Sequence, residues 1–488
     1  VSRAVADPIA AFESVGELAL GLLALSLVGS LGLSAPLAAL AVLALWLAIR
    51  RRDRIPPGVR RRLRWVALGV VVVALGVCLR TMVSNLAYPA PGSGGSEWDF
   101  LAFWIDGRAG VSGRDFYDPS SYHVLSLPFV PSAAFRASIL DVGFRYPPST
   151  MLLFAPLGWL DYSTAYALWD VATLLALGGC AWLIQRIWLR DYGGWGVVLG
   201  LLMLLVMPAS LATIRLGQSN FFALLAVLLA LRNEGRFRGG AYLVLAALVK
   251  PLLAVLTLPL LVMRRWRTLL GGAVALAART VATGLAFGPL IFSSYAATLP
   301  SRMPHSSYVE EVRQSLLAVV LRATGDTSGV PAANPFFLAL AALLLSATIW
   351  AMVHARRRRP RLIWGTWIVL AMLLFPGTLR HYAVLLLVPW LAIWEERRSH
   401  PFGLELLALS TVAVFLGAAA PGTNAVFEAS LACWLACVAA LAIPDAVLPE
   451  QERAADPAPA APPDPSAILR PADAERGPVP LADLLSGR

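Results

Sequence analysis

A chain of 488 residues with 58% hydrophobic and only 14% charged side chains, and a mean hydropathy of +0.70, is too apolar for an ordinary soluble globule. Its repeated apolar runs, near or above eighteen residues, identify a multi-pass membrane protein. The net charge of +11 does not point to nucleic acid, because the arginines gather in short clusters between apolar runs, as they do in cytoplasmic loops.

The first apolar run, 16–49, ends in the basic cluster RRRDRIPPGVRRRLR at 50–64. It reads as an anchor of one long tilted helix or two short ones, so that residues 1–62 are a membrane anchor and basic cytoplasmic loop. With 50–64 cytoplasmic, 65–84 crosses outward and 85–148 becomes a long extracytoplasmic segment. Within it, SEWDFLAFWIDGRAGVSGRDFYDP (96–119) concentrates four aspartates and a glutamate. Residues 151–188 return to the basic RIWLRD, 195–211 go out, IRLGQSN turns outside, and 220–231 come back.

The run 240–263 has arginines at both ends and VKP at its midpoint. One span cannot leave both flanks cytoplasmic, so a broken or re-entrant pair of half-helices is expected. Residues 268–292 then cross outward, 293–334 form a second extracytoplasmic segment, and 335–354 come in. Next, 362–376 go out, PGTLRH turns outside, and 382–395 return to EERR. A last pair, 403–420 and 425–443, leaves the tail 444–488 cytoplasmic. That tail is rich in Pro, Ala, Asp and Glu with almost no aromatics, and is expected to be disordered. The expected fold is all-α and integral to the membrane, an asymmetric bundle of about eleven to thirteen transmembrane helices without an internal repeat, occupying 63–443.

The four cysteines, Cys78, Cys180, Cys433 and Cys437, all lie inside apolar runs, and no His or further Cys completes a metal-binding set. The outer segments hold no DxD motif. Neither a metal nor a cofactor is expected.

Four stretches, WDFLAFWIDGRAGVSGRDFYDP, FRYPPSTMLLFAPLGWLDYSTAYALW, LGQSN and LVKPLLAVLTLPLLVMRRWR, occur here in an order and spacing that resembles glycosyltransferase family 87, over roughly residues 63–400. The resemblance implies a GT-C membrane fold and transfer of a sugar, mannose or arabinofuranose, from a polyprenyl-phosphate donor. The acceptor would be a cell-envelope glycan or glycolipid on the extracytoplasmic face of the plasma membrane. The implied partners are the lipid-linked donor, the acceptor and membrane lipids, with no nucleic acid. A transporter or flippase, or a non-catalytic envelope assembly protein, is the alternative.

Inverting transfer from a lipid phosphate needs one base for the attacking hydroxyl and no general acid, because the phosphodiester leaves as a stable anion. By resemblance that base is Asp99, against the plainer reading of a solvated loop acid. Asp106, two helical turns on, is the second candidate. Asp115 and Asp118 read as turn residues before Pro119. Asp170, inside an apolar run, reads as a structural hydrogen-bonding group.

Lys250 is the only lysine, and its place in the broken segment fits a donor-phosphate cation. The alternative is an ammonium snorkelling to headgroups. His381 is a catalytic-site candidate by resemblance. Arg380 and Arg145 are further phosphate candidates. Gln218 and Asn220 either bind sugar hydroxyls or cap a helix turn, and Tyr146 completes the sugar or acceptor set.

Overall fold

In hydrocarbon each backbone N–H and C=O must be satisfied within the chain, which leaves helices as the economical solution for a sequence this apolar. The structure, a computed structural model, describes residues 57–87, 98–118, 120, 121, 125, 146–298, 313–325, 334–355, 359–396, 401–419 and 423–442. They are helical with no strand, and their one isolated bridge joins Arg313 to Leu379. All fall within the unit Val1–Ala442. The second unit, Ile443–Arg488, which carries the expected tail, lies outside the described residues, as do the run 16–49 and Arg145.

The helices in chain order are α1 (Pro57–Ala87), α2 (Trp98–Val111), α3 (Met151–Gly158), α4 (Tyr162–Ile187), α5 (Trp195–Leu205) and α6 (Pro208–Leu216). They continue with α7 (Asn220–Arg232), α8 (Phe237–Val249), α9 (Thr257–Val262), α10 (Trp266–Phe287), α11 (Ile291–Thr298) and α12 (Leu316–Thr324). The last five are α13 (Pro335–Ala355), α14 (Pro360–Leu374), α15 (Leu387–Glu395), α16 (Pro401–Ala419) and α17 (Ala425–Ala442). Their ends follow ordinary capping chemistry. Asp161 accepts from the Thr164 amide at 3.0 Å to start α4, Asn334 accepts from the Phe336 and Phe337 amides to start α13, and prolines open α6 and α14.

Among the described residues, five helices are long and apolar enough to cross a membrane: Ala67–Leu86 within α1, α4, α10, α13 and α17. The pair α5 and α6, bent by 73°, makes a sixth. This all-α membrane architecture is the one expected, but several apolar runs of the sequence turn out to be short arms. The run 195–211 is not straight: it bends at Val206 and Met207, where Pro208 begins a new helix. The run 151–188 is split by a turn at Trp159–Asp161, before α4 begins.

The expected break at VKP is present. α8 stops at Val249, Lys250 is extended (φ −139°, ψ 99°), a 3₁₀ segment Pro251–Leu256 follows, and α9 completes the return. The two ends of this hairpin lie side by side. Thr268 at the start of α10 accepts from the Gly235 amide at 2.9 Å, and Arg265 pairs with Glu234 at 2.9 Å. Burial raises the Glu234 carboxyl above its usual range while Arg265 opposes the shift. Gly240 makes the close approach of α8 to α10 possible: a Cβ there would stand 1.9 Å from the Thr268 carbonyl oxygen.

A second segment repeats the design. α14 ends in a turn, a 3₁₀ segment Arg380–Leu386 follows, and α15 returns, with Arg361 at the start paired to Glu395 at the end. A large apolar core packs both hairpins against α4 and α7. A separate aromatic cluster, including Phe100, Phe103, Trp104, Phe154, Tyr166 and Trp169, fixes α2 against α3 and α4.

Candidate functional site

The tips of the two hairpins meet, and Lys250 lies where they do. It is only 1% exposed, which removes the snorkelling alternative: the ammonium does not reach headgroups. Its Nζ donates to Gln218 Oε1 at 2.8 Å and stands 4.4 Å from the centroid of the Tyr382 ring, so one cation is held by an amide oxygen and an aromatic face. A buried ammonium without a counter-charge is costly, and the negative charge acting on Lys250 is that of Asp99.

Asp99 occupies the first turn of α2 and is partly exposed. Its position is set by its neighbour. Gly217, left-handed at φ 66°, closes α6 so tightly against α2 that a Cβ there would lie 2.5 Å from Phe100 Cβ. The Gly217 carbonyl accepts from Trp169 Nε1 at 2.9 Å. Asn85 ties α1 to the same corner through Tyr166 at 2.8 Å and the Arg215 carbonyl at 3.1 Å. The LGQSN turn therefore seats Gln218 against Lys250.

On the opposite side, Asn220 Nδ2 donates to Thr213 Oγ1 at 2.9 Å and to the His381 carbonyl at 3.0 Å. Asn220 is thus the first residue of α7 and a strut to the second hairpin, not a cap. His381 is buried, with the charges of both Lys250 and Arg313 acting on it. Among the described residues, Ser219 Oγ, Asn220 Oδ1, Arg380 Nη2 and His381 Nε2 are buried polar atoms with no hydrogen-bond partner. Native interiors rarely leave such atoms unspent, and these four belong to the segments that carry the two Lys250 contacts, Gln218 and Tyr382.

Other candidates fall elsewhere. Asp106 is buried two turns along α2, and Asp170 is buried on α4. Tyr146 belongs to the aromatic cluster: its carbonyl accepts from Tyr117 at 2.8 Å and its ring lies 5.7 Å from Phe103. Asp115 and Asp118 are turn residues, accepting from the Tyr117 amide at 2.8 Å and the Ser120 amide at 2.9 Å. The Ser120 hydrogen bonds hold the Asp118 carboxyl below the usual carboxylate range. Among the described residues, no three His, Cys, Asp or Glu side chains gather as metal ligands.

Two site residues went unnoticed in the sequence. Tyr382 follows His381 and differs from other tyrosines only in facing Lys250. Arg313 reaches the site because its strand-like backbone bridges Leu379, with the Gln314 amide bonded to the Thr378 carbonyl at 2.9 Å. No local spacing announces that pairing.

Residues 144–376 match the family model of glycosyltransferase family 87. The match contains Gln218, Asn220, Lys250 and Arg313, and stops short of Asp99 on one side and of Arg380 and His381 on the other. No curated protein and no solved structure matches the chain.

Proposed function

As a member of glycosyltransferase family 87 on the match over residues 144–376, the chain is a membrane glycosyltransferase, and we propose that it takes its sugar from a polyprenyl phosphate. The observation that carries this reading is one buried ammonium, Lys250, held by Gln218 and the Tyr382 ring where the two hairpins meet, with Asp99 as the proposed carboxylate of the same site. In the proposed reaction an acceptor hydroxyl oxygen forms a bond to the anomeric carbon as the bond from that carbon to the phosphate oxygen breaks. Asp99 takes the hydroxyl proton, the electron pair leaves with the phosphate, and the configuration inverts. Lys250 and Arg380 hold the departing anion by charge-assisted hydrogen bonds. Gln218 orients Lys250, while His381 Nε2 and Asn220 Oδ1 are left to meet hydroxyl groups.

Mannose and arabinofuranose are the proposed sugars, and a cell-envelope glycan or glycolipid the acceptor, at the extracytoplasmic face of the plasma membrane. Residues 63–443 form the proposed catalytic domain. Purified protein incubated with labelled polyprenyl-phosphate mannose and polyprenyl-phosphate arabinofuranose tests the donor. In that assay Asp99→Asn should lower turnover by about 10²- to 10⁴-fold, the usual worth of a general base, with donor binding and melting near wild type. Near-normal turnover in Asp99→Asn would overturn the base assignment, and loss of turnover in Asp106→Asn alone would move it to Asp106.

A further inference from the structure

A second cation, on a different helix from Lys250, lies within a helix long and apolar enough to cross a membrane. Arg279 lies within α10, among the apolar segments ALAARTVATGL, eight residues before the helix ends. At a rise of about 1.5 Å per residue that is some 12 Å inside the end. The faces beside it are lipid-like: Leu276, Val281 and Leu285 are exposed, the last by 84%. Arg279 itself is half-buried, on the stripe that includes Gly271 and Thr283 and turns toward the bundle.

A guanidinium at this depth is expensive and calls for a partner. Its Nη2 donates to the Ser149 carbonyl at 3.3 Å, and its Nε is buried with no hydrogen-bond partner. Among the described residues no acidic side chain pairs with it. A guanidinium carries five donors in a planar fork suited to phosphate oxygens, and a single long bond to a neutral carbonyl leaves most of that capacity and all of the charge unspent.

We propose that Arg279 binds the phosphate of a membrane lipid at the flank of α10, as a site separate from Lys250. The lipid surface of α10 supplies room for acyl or prenyl chains, and the guanidinium supplies the phosphate contact. The site is joined to the hairpin tip by a short path, since Thr150, next to Ser149, donates to the Leu248 carbonyl at 2.8 Å, two residues before Lys250. The inference rests on α10 lying in the membrane and not on the Lys250 assignment or on the sugar chemistry.

The test is lipid retention by the full chain, followed by native mass spectrometry with decaprenyl phosphate, phosphatidylglycerol, uncharged decaprenol and inorganic phosphate as probes. Arg279→Gln keeps a donor for the Ser149 carbonyl but removes the charge. It should weaken retention of a lipid phosphate by about tenfold, the order of one charge-assisted contact, while Arg279→Lys should keep most of it. An effect confined to decaprenyl phosphate would identify a polyprenyl source, and an equal effect on phosphatidylglycerol a headgroup source. Unchanged retention in Arg279→Gln, equal losses in the Gln and Lys variants, or an effect seen with inorganic phosphate alone would each overturn the proposal. Should Arg279→Gln fail to fold, Lys250→Met decides. That variant must still prefer decaprenyl phosphate to decaprenol, and loss of the preference would overturn a second site. Turnover plays no part in this measurement, so a wrong base at Asp99 leaves its result unaffected.

Discussion

At the residue scale, the ammonium of Lys250 depends on Gln218 in a way that can be measured. Removing the acceptor leaves a buried charge short of a hydrogen bond, a loss of about 1–3 kcal/mol or more. Gln218→Leu should therefore melt below wild type. The Lys250→Met/Gln218→Leu double variant should melt no lower than Lys250→Met alone, because the orphaned charge is gone. Simple additivity in thermal melts of the purified protein would show that the 2.8 Å contact contributes nothing specific. The sequence made part of this site legible. A lone lysine beside a proline inside an apolar run is expensive enough to draw notice, and Asp99 was singled out by resemblance, not by any local signal that it begins a helix. The roles of Gln218 and Asn220 were not legible, since a polar pair after a glycine reads equally as a cap. Only folding shows that one holds Lys250 and the other braces His381. Tyr382 and Arg313 were beyond reach because their significance comes from contacts between distant segments.

At the element scale, the hairpins work because their arms pack closely. Gly240 and Gly271 each face a backbone oxygen, which would lie 1.9 Å from an added Cβ, and backbone cannot swing aside as a side chain can. Gly240→Ala should lower stability by about 1–3 kcal/mol through overpacking and shift the tip that carries Lys250, so donor affinity should fall with it. Gly69→Ala in α1, where nothing lies within 4 Å of the new Cβ, is the matched control and should melt at or above wild type. Equal melting of both variants would mean that the α8–α10 crossing relaxes freely. These breaks were only partly readable in advance. KP announces a stop, whereas the bend of 73° between α5 and α6 is carried by a single Met-Pro step inside an otherwise continuous apolar run.

At the scale of the whole molecule, the two ends of each hairpin lie together, because Arg265 pairs with Glu234 and Arg361 with Glu395. α8 has 13 residues, so it lifts Lys250 by about 20 Å, short of the roughly 30 Å hydrocarbon core. Exposed cysteines substituted at Arg236 and Arg264 should therefore react from the same side with an impermeant reagent. Labelling of one in intact cells with protection of the other would break the hairpin reading. The four native cysteines are all buried and should stay silent. The apolar runs conveyed the membrane class and the long spans, but not which of the described runs are short arms, since hydropathy does not distinguish an arm that turns back from one that continues.

The solitary lysine has one more consequence, for chemical biology. Lys250 is the only side-chain amine in 488 residues, and it is 1% exposed. An acylating reagent therefore has one internal target, at the heart of the site, and can reach it only when the hairpin tips part. The rate at which that amine is modified becomes a clock for the opening of the bundle, and protection by a bound anion becomes a direct gauge of occupancy. No label need be engineered in, because the α-amino group is the one other amine and peptide mapping separates its modification from that of Lys250.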